Sequence, residues 1–350
     1  MDKINEVSIF DIVDSVNVVQ LETNQQSLIG NLSRVIIWDK RYYIYDYLNH
    51  SIFCFDEKGK YLFKINKRGR GPDEYQYLEF FTIDRIHNQL ILLVPFGEVL
   101  YFDKDGNFIN KVKLPEGIKG YNEVHVLNED TLIFASLSSY QILYYSKKNN
   151  RIFKEIYPRK DTPRPFNSLE RTYLFEDSLY FSHPFSNGVI NLSNENQKQV
   201  FTWNFGSNNN SIKMINKLKK FLIERENFKE RILFKDLIGE GKYLKYFIIT
   251  NNETSRFRTS IIDYKNDFLC VFYDKKLKRD YVFRNTKEGI RLLFPYLYDE
   301  SIIMHENSSP QNKDYSFYSK DFLSPEQLKI VEANNTEQDN PFLVIYKLKK

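Results

Sequence analysis

The chain has 350 residues, of which 42% are hydrophobic and 16% aromatic, which excludes a wholly disordered protein and allows one large core. Its net charge of +4 comes from 50 basic and 46 acidic residues, a balance that predicts no nucleic-acid partner. The two cysteines, Cys54 and Cys270, each lie in an apolar run, so we expect buried thiols. No apolar run reaches the roughly 18 residues that cross a bilayer, so no transmembrane segment is predicted.

A hairpin pattern repeats along the first half of the chain. The segment 51–65, SIFCFDEKGKYLFKI, matches 98–112, EVLYFDKDGNFINKV, at an offset of 47 residues. Both consist of a strand, an Asp-x-x-Gly turn and a second strand, in which glycine supplies the positive φ. A weaker third copy, 141–156, has Asn149 at the glycine position, because asparagine is the next-best residue for left-handed geometry.

Another short strand precedes each hairpin and recurs along the chain. Its copies are RYYIYD, NQLILLV, DTLIFAS, DSLYFSH, NDFLCVFYD and ESIIMHE. Ahead of them stand RVIIWD, FFTID, NEVHVL, RTYLFE, RTSIIDY and IRLLFPYLY. The unit is therefore four short strands, A to D, repeated six times, which is typical of a β-propeller. The predicted fold is all-β: a six-bladed β-propeller of four-stranded antiparallel blades with small helical insertions. A β-sandwich is the alternative, but it does not explain the repeated turn chemistry.

The last blade lacks a local C–D hairpin. The C-terminal NPFLVIYKLKK can supply its strand C, and the N-terminal VNVVQLET can supply strand D. Joining the two termini in one blade removes open sheet edges. We therefore expect a single propeller domain over residues 1–350.

Two helical insertions interrupt the strand pattern. The first, 205–242, lies between blades four and five and has one apolar helical stripe, formed by residues 212, 215, 218, 222, 228 and 232. The second, 306–341, lies in blade six. There Ser324 is the expected N-cap, Pro325 the first helical residue and Gln327 the partner in a capping box.

The segment 43–75 resembles the NHL repeat, with eight residues on its pattern: Asp46, Asn49, His50, Asp56, Gly59, Gly69, Gly71 and Pro72. The stretches 18–37, 69–75 and 340–349 resemble the six-bladed β-propeller proteins of Bacteroidota, and the similarity covers nearly the whole chain. That family usually has a third glycine where this chain has Asp73. Its members are mostly predicted envelope lipoproteins without assigned activity. The resemblance therefore implies a periplasmic or outer-membrane location and a lipid anchor lost together with a signal, since residues 1–10 contain no secretion signal.

The alternation of strand direction places the D-to-A joints and the B-to-C loops on one face. The long irregular segments all fall on this face, and loops on a rigid scaffold are where function concentrates. We expect a ligand at the mouth of the central channel on this face. The candidate ligand-binding residues are Asp46, Arg68, Arg70, Phe96, Tyr140, Arg164, His183, Phe185 and His305. This mixture of aromatic and basic groups suits a glycan, a peptide or an acidic small molecule.

The glycine-rich stretch 69–75, GRGPDEY, is interpreted as the joint between blades one and two. It lacks the Gly-Lys-Ser/Thr of a Walker loop and the third glycine of a dinucleotide fingerprint, and Pro72 removes a backbone donor. Arg70 and Glu74 are expected to pair there. The five histidines lack metal-ligand spacing, so neither a metal nor another cofactor is predicted.

The favoured function is a monomeric, non-catalytic binding module of the cell envelope, whose partner is an unidentified ligand or envelope protein. Two alternatives stay open. A hydrolase or lyase would bring His183 and His305 together at the channel mouth. A scaffold for an envelope complex would dock through its helical insertions.

Overall fold

The computed structural model describes most of the chain, in ten ranges: 6–136, 141–157, 171–183, 186–226, 244–265, 267–292, 296–298, 300–305, 317–334 and 338–350. Within these ranges the strands form six four-stranded antiparallel sheets. The predicted six-bladed β-propeller is confirmed. The blades fall into two compact units, which are described separately below.

The first unit, Glu6–Lys119 with Asn285–Lys350, holds blades 1, 2 and 6. Blade 1 comprises β2 Leu32–Trp38, β3 Arg41–Asp46, β4 Ser51–Asp56 and β5 Tyr61–Ile65. Blade 2 comprises β6 Phe80–Asp84, β7 Gln89–Val94, β8 Glu98–Asp103 and β9 Phe108–Lys113. Blade 6 comprises β22 Tyr296–Tyr298, β23 Ser301–His305, β24 Phe342–Leu348 and β1 Val13–Gln20.

The second unit, which covers Gly120–Arg284, holds blades 3, 4 and 5. Blade 3 comprises β10 Glu123–Val126, β11 Thr131–Ala135, β12 Ile142–Ser146 and β13 Arg151–Ile156. Blade 4 comprises β14 Thr172–Phe175, β15 Ser178–Ser182, β16 Gly188–Asn191 and β17 Gln199–Thr202. Blade 5 comprises β18 Tyr246–Glu253, β19 Phe257–Tyr264, β20 Asp267–Asp274 and β21 Arg279–Phe283.

Blade 6 is assembled from both ends of the chain, as predicted. The N-terminal strand β1 is its outermost strand and pairs antiparallel with the C-terminal β24, with Val18 opposite Val344. The pairing gives β24 a second strand neighbour besides β23 and leaves β1 as the edge strand of the blade.

The strand assignment predicted for blade 5 is wrong by one position. RTSIIDY and NDFLCVFYD were expected to be strands A and B, but they form the second and third strands, β19 and β20. The first strand is β18, whose polar Asn251 and Asn252 and whose bulge near Thr250 disguise the apolar pattern. The turn after Asp274, which leads into β21, has the same place as the Asp-initiated turns of blades 1 and 2.

The hairpin turns follow the predicted chemistry in two copies out of three. Gly59 and Gly106 both have a φ of 82°, and the carboxylates of Asp56 and Asp103 accept backbone N–H groups inside the turns. In the third copy the positive φ, 45°, belongs to Asn150 and not to Asn149. There Ser146 replaces the aspartate and accepts from the backbone of Asn149, which shifts the left-handed residue by one.

Gly59 is required by space as well as by φ. A Cβ added there would lie 2.0 Å from the backbone oxygen of Gln20, whereas one added at Gly120, with a similar φ of 78°, would meet nothing within 4 Å. We expect Gly59→Ala to lower the free energy of unfolding by about 2–3 kcal/mol and Gly120→Ala by about 1 kcal/mol. Urea unfolding of the two variants measures the difference, and equal losses would show that β1 does not pack on this turn.

Most strands are buried on both faces, as expected for stacked blades. In β4 the first five residues are buried, and the Cys54 thiol lies among apolar side chains of blades 1 and 2. Burial raises the pKa of Cys54 to about 12, so this thiol stays protonated and acts as a small hydrophobic group. Both cysteines are buried thiols, as predicted.

Three α-helices are described: α1 Ile9–Ile12, α2 Ile212–Glu226 and α3 Pro325–Ala333. The capping box predicted for α3 is confirmed, because Ser324 and Gln327 exchange side-chain-to-backbone hydrogen bonds. In α2, Leu218 is buried and Ile215 packs on the same apolar cluster of the second unit. The rest of the predicted stripe, residues 212, 222, 228 and 232, lies outside the described side chains. The limits of both insertions, 205–242 and 306–341, remain predictions.

Candidate functional site

Four aromatic side chains form a row on the surface of the first unit, termed here the aromatic row: Tyr47, His50, Tyr77 and Phe96. Tyr47 and His50 belong to the β3–β4 loop, Tyr77 to the β5–β6 joint and Phe96 to the β7–β8 loop. The successive ring centroids are 5.9, 5.2 and 6.1 Å apart, each pair in an edge-to-face arrangement.

The aromatic row faces solvent. The exposed fractions are 59% for Tyr47, 46% for Tyr77 and 57% for Phe96. Leu48, beside Tyr47, is 67% exposed. A contiguous exposed apolar surface of this kind is uncommon unless it binds something. The three loops that carry it are B-to-C loops and a D-to-A joint, which are the segments predicted to carry function.

Hydrogen bonds donated by buried tyrosine hydroxyls fix the backbone under the aromatic row. The Tyr75 hydroxyl donates to the carbonyl oxygen of His50 at 2.7 Å, and the Tyr45 hydroxyl donates to that of Leu78. The His50 Nδ1 lies 3.3 Å from the same Leu78 oxygen, which can only accept, so Nδ1 carries a proton. These bonds tie the β3–β4 loop to the β5–β6 joint, so the backbone that carries Tyr47, His50 and Tyr77 is held in place without a ligand.

A groove of about 550 Å³, termed here the amide groove, shares the β3–β4 loop with the aromatic row. Its lining is Thr23, Asn24, Gln25, Leu28, Ile29, Gly30, Asn49 and Gln338. None of these side chains is charged, and four of them are amides. Asn49 lies directly before His50 in the chain, so the β3–β4 loop contributes to both the groove and the row.

Asp46, a predicted ligand-binding residue, instead holds the β3–β4 loop together. It is completely buried, and its carboxylate accepts five hydrogen bonds. The donors are the backbone N–H groups of Gly30, Asn31, Leu48 and Asn49 and the Asn49 side-chain amide, at 2.6–3.2 Å. The saturated carboxylate leaves no surface for a ligand, so Asp46 is removed from the candidate set and becomes a support of the groove.

Asn340 supports the other side of the amide groove. It is completely buried, and its side-chain amide donates to the carbonyl oxygens of Glu22 and Ser27 at 2.7 and 2.8 Å. Its side-chain oxygen accepts from the backbone N–H of Ile29 at 2.8 Å. One side chain therefore closes the loop between β1 and β2, which forms most of the groove.

The glycine-rich joint is built differently from the prediction. The predicted Arg70–Glu74 pair does not form in this described stretch: the Glu74 carboxylate accepts from the Gly71 backbone N–H at 2.7 Å, and the ion pair joins Lys67 to Asp73 at 2.9 Å. A Cβ at Gly69 would lie 1.9 Å from Glu74 Oε2, at the end of a flexible side chain that would have to move, and neither Gly69 nor Gly71 has a positive φ.

The remaining predicted residues are dispersed. Arg68 and Arg70 are exposed on the glycine-rich joint, and Phe96 belongs to the aromatic row. Tyr140, Arg164 and Phe185 lie outside the described residues. His183, in the second unit, is buried with its ring 5.1 Å from that of Tyr157. Among the described residues no group of three His, Cys, Asp or Glu side chains could hold a metal ion.

His305, the last predicted residue, ends β23, and its Nδ1 is shielded from solvent. Burial lowers the pKa of His305 from 6.5 to about 4, because the charged ring is poorly solvated there.

Between these two pKa values the unfolded chain binds a proton at His305 and the folded chain does not, so the stability of the fold falls as pH falls. We expect a loss of about 1–3 kcal/mol from pH 6.5 to pH 4, and His305→Gln should flatten it. An equal fall in both proteins, measured by urea unfolding at several pH values, would contradict this.

A buried polar cluster in the second unit escaped sequence analysis. Thr172 donates to Glu123 and lies 2.8 Å from His125 Nε2, which is 3.1 Å from the Glu123 carboxylate. The Arg171 backbone N–H also donates to Glu123, at 3.3 Å. The signal in the sequence was the polar alternation Glu-Val-His in NEVHVL, which places both titratable groups on one face of β10.

The sequence that contains the strand repeat and the blade built from both termini matches a known family. The sequence matches the family described as "Domain of unknown function (DUF4934)" over residues 1–347. This chain belongs to the DUF4934 family. No curated protein matches the sequence of this DUF4934 chain.

Two solved structures show the fold that this DUF4934 chain shares. One is a "Putative exported protein" of Bacteroides fragilis NCTC 9343, with 18% identity, a TM-score of 0.75 and coverage of 99% of this chain and 98% of that one. The other is a member of the DUF4221 family from Bacteroides vulgatus ATCC 8482, with 10% identity, a TM-score of 0.57 and 99% coverage of both chains. Within the described ranges of the DUF4934 chain, no helix is both long enough and apolar enough to span a bilayer.

Proposed function

We propose that this chain is a non-catalytic binding protein of the cell envelope and that its ligand site is the aromatic row together with the amide groove. The observation that carries the proposal is the row itself: three exposed aromatic rings and a histidine, held at 5–6 Å spacing by loops of two blades. Aromatic side chains offer a large contact area at a low cost in conformational entropy. The loops are fixed by buried hydrogen bonds, which reduces the ordering cost of binding.

The envelope location rests on two likenesses. The sequence resembles the envelope propellers of Bacteroidota at 18–37, 69–75 and 340–349, and the fold resembles that of a "Putative exported protein". The lipid anchor, the NHL-like character of the first repeat and the monomeric state are part of the same proposal. An epitope-tagged full-length protein that stays in the cytoplasmic fraction of its host would contradict the location.

A hydrolase or lyase is the second candidate, and only one observation favours it. The Thr172 hydroxyl lies 2.8 Å from His125 Nε2, with the Glu123 carboxylate beside both. All three side chains are buried, so a substrate would reach them only if the inner strands separated. Binding at the exposed row needs no such opening and is therefore preferred.

The test is a binding screen with soluble polysaccharides and short peptides as probes. We expect the wild-type protein to bind at least one probe and Tyr77→Ala to lose most of that affinity, by about 30-fold if Tyr77 anchors the contact. The matched control is Phe153→Ala, which removes an aromatic side chain that is 51% exposed in the second unit. Equal affinity of the wild-type protein and Tyr77→Ala for every probe that binds would refute the site.

A further inference from the structure

The chemistry of the site narrows the ligand class, and this inference rests on the proposed function. We propose that the ligand is an uncharged oligosaccharide chain that lies in the amide groove and continues along the aromatic row. The groove supplies hydrogen bonds to hydroxyl groups, and the row supplies stacking surfaces for the sugar rings.

The free polar groups of the groove match hydroxyl groups. Each side-chain amide offers both donors and an acceptor, as each sugar hydroxyl does. Gln25 and Gln338 are exposed, and their amides make no hydrogen bond to another residue in the described part of the chain. Asn49 lines the groove and donates its side-chain nitrogen to Asp46, so its side-chain oxygen remains an acceptor. The hydroxyl of Thr23 accepts from the backbone of Asn340 and can still donate.

The neutrality of the lining argues against a charged ligand. All eight lining residues are uncharged, so an acidic sugar or phosphate in the groove would lose water without gaining a charged partner. Arg68 and Arg70 are exposed on the glycine-rich joint and do not line the groove. A neutral ligand exchanges its hydrogen bonds with water for hydrogen bonds with the amides, and it avoids the cost of desolvating a charge.

The backbone of the site also disfavours a peptide in extended form. A bound peptide strand takes most of its affinity from backbone hydrogen bonds. The backbone N–H groups of Gly30 and Asn31, and of Leu48 and Asn49 across the groove, are all bonded to Asp46. These four donors are therefore unavailable to a peptide strand, which favours recognition through side-chain amides and aromatic faces.

The aromatic row continues the groove in the direction of blade 2. The partly negative faces of aromatic rings attract the C–H groups of a sugar ring, which carry slight positive charge. The repeated 5–6 Å spacing of the rings fits a ligand that is itself a chain of rings. Three supports, Asp46, Asn340 and Tyr75, fix this surface in advance.

The experiment is affinity electrophoresis of the purified protein in gels containing a neutral polysaccharide (dextran, xylan, mannan or a mixed-linkage β-glucan), an anionic one (polygalacturonate) or none. A peptide library is screened in parallel. We expect retardation by at least one neutral polysaccharide and none by polygalacturonate. Tyr47→Ala with Tyr77→Ala should weaken it by at least 30-fold, and Gln25→Ala with Gln338→Ala by about 10-fold. Phe153→Ala should not change it.

The outcomes separate this inference from the proposed function. Binding only to peptides or to polygalacturonate, abolished by the tyrosine variant, would overturn the neutral-glycan inference and leave the site standing. Neutral-polysaccharide binding that the tyrosine variant retains in full would overturn both. Failure of the wild-type protein to bind any neutral polysaccharide would overturn the inference. Circular dichroism and urea unfolding of each variant establish that it is folded.

Discussion

Replacing Asp46 with alanine should lower the free energy of unfolding by about 3–5 kcal/mol, one of the largest effects expected from a single substitution in this chain. The carboxylate is completely buried and accepts five hydrogen bonds, four of them from backbone N–H groups. Alanine would leave those donors unsatisfied in a low-dielectric setting, where each costs about 1–3 kcal/mol before relaxation and water entry reduce the sum.

Urea unfolding measures this loss, and the matched control is Asp105→Ala. Asp105 pairs with Arg41 at 2.7 Å, but its side chain is 54% exposed, so its removal should cost no more than about 1 kcal/mol. Asp46→Ala should also abolish ligand binding, because the two loops that line the groove lose their common anchor. A similar loss of stability for Asp46→Ala and Asp105→Ala would show that Asp46 does not organise these loops.

The second large effect is expected at Glu123, in the second unit. Glu123→Ala should lower the free energy of unfolding by about 3–5 kcal/mol, because it removes the acceptor of Thr172 and of the Arg171 backbone N–H and the neighbour of His125. These groups are buried, so their solvation cannot replace the lost bonds.

Glu116→Ala is the control for Glu123. Glu116 forms an ion pair with Lys119 at 2.6 Å, but its side chain is 81% exposed, so its removal should cost less than about 1 kcal/mol. Glu123→Gln, which keeps the shape and one acceptor oxygen, should fall between the two. If Glu123→Ala unfolds at the same urea concentration as Glu116→Ala, the cluster does not stabilise the inner strands of blades 3 and 4.

The fold could be predicted because the same turn residues recur at equivalent positions of successive blades. Asp56 with Gly59 and Asp103 with Gly106 mark equivalent turns, and the periodic strands between them leave few alternatives. The strand assignment predicted for blade 5 was wrong for a physical reason. Strand β18 carries Asn251 and Asn252, and Asn251 is tolerated because its side-chain oxygen accepts from the Trp203 indole N–H at 2.6 Å, a tertiary contact that a strand pattern cannot show.

The proposed site could be predicted only in part. The sequence predicts a functional face formed by the B-to-C loops and D-to-A joints, and Phe96 is one of the residues predicted there. It could not separate Tyr47 and Tyr77 from 23 other tyrosines, because exposure is a tertiary property. The amide groove was equally hidden, since Gln25 and Gln338 are brought together only by blade closure. Asp46 was predicted to bind a ligand, whereas its buried carboxylate accepts hydrogen bonds from the loop backbone, and a carboxylate at a loop start suits either role in the sequence.

The most direct test of the central claim, that the aromatic row and the amide groove bind an uncharged glycan chain, is isothermal titration with the neutral polysaccharide that most retards the wild-type protein. The account predicts saturable binding by the wild-type protein and by Phe153→Ala, and at least 30-fold weaker binding by Tyr47→Ala with Tyr77→Ala. Undiminished binding by a folded tyrosine variant would contradict it.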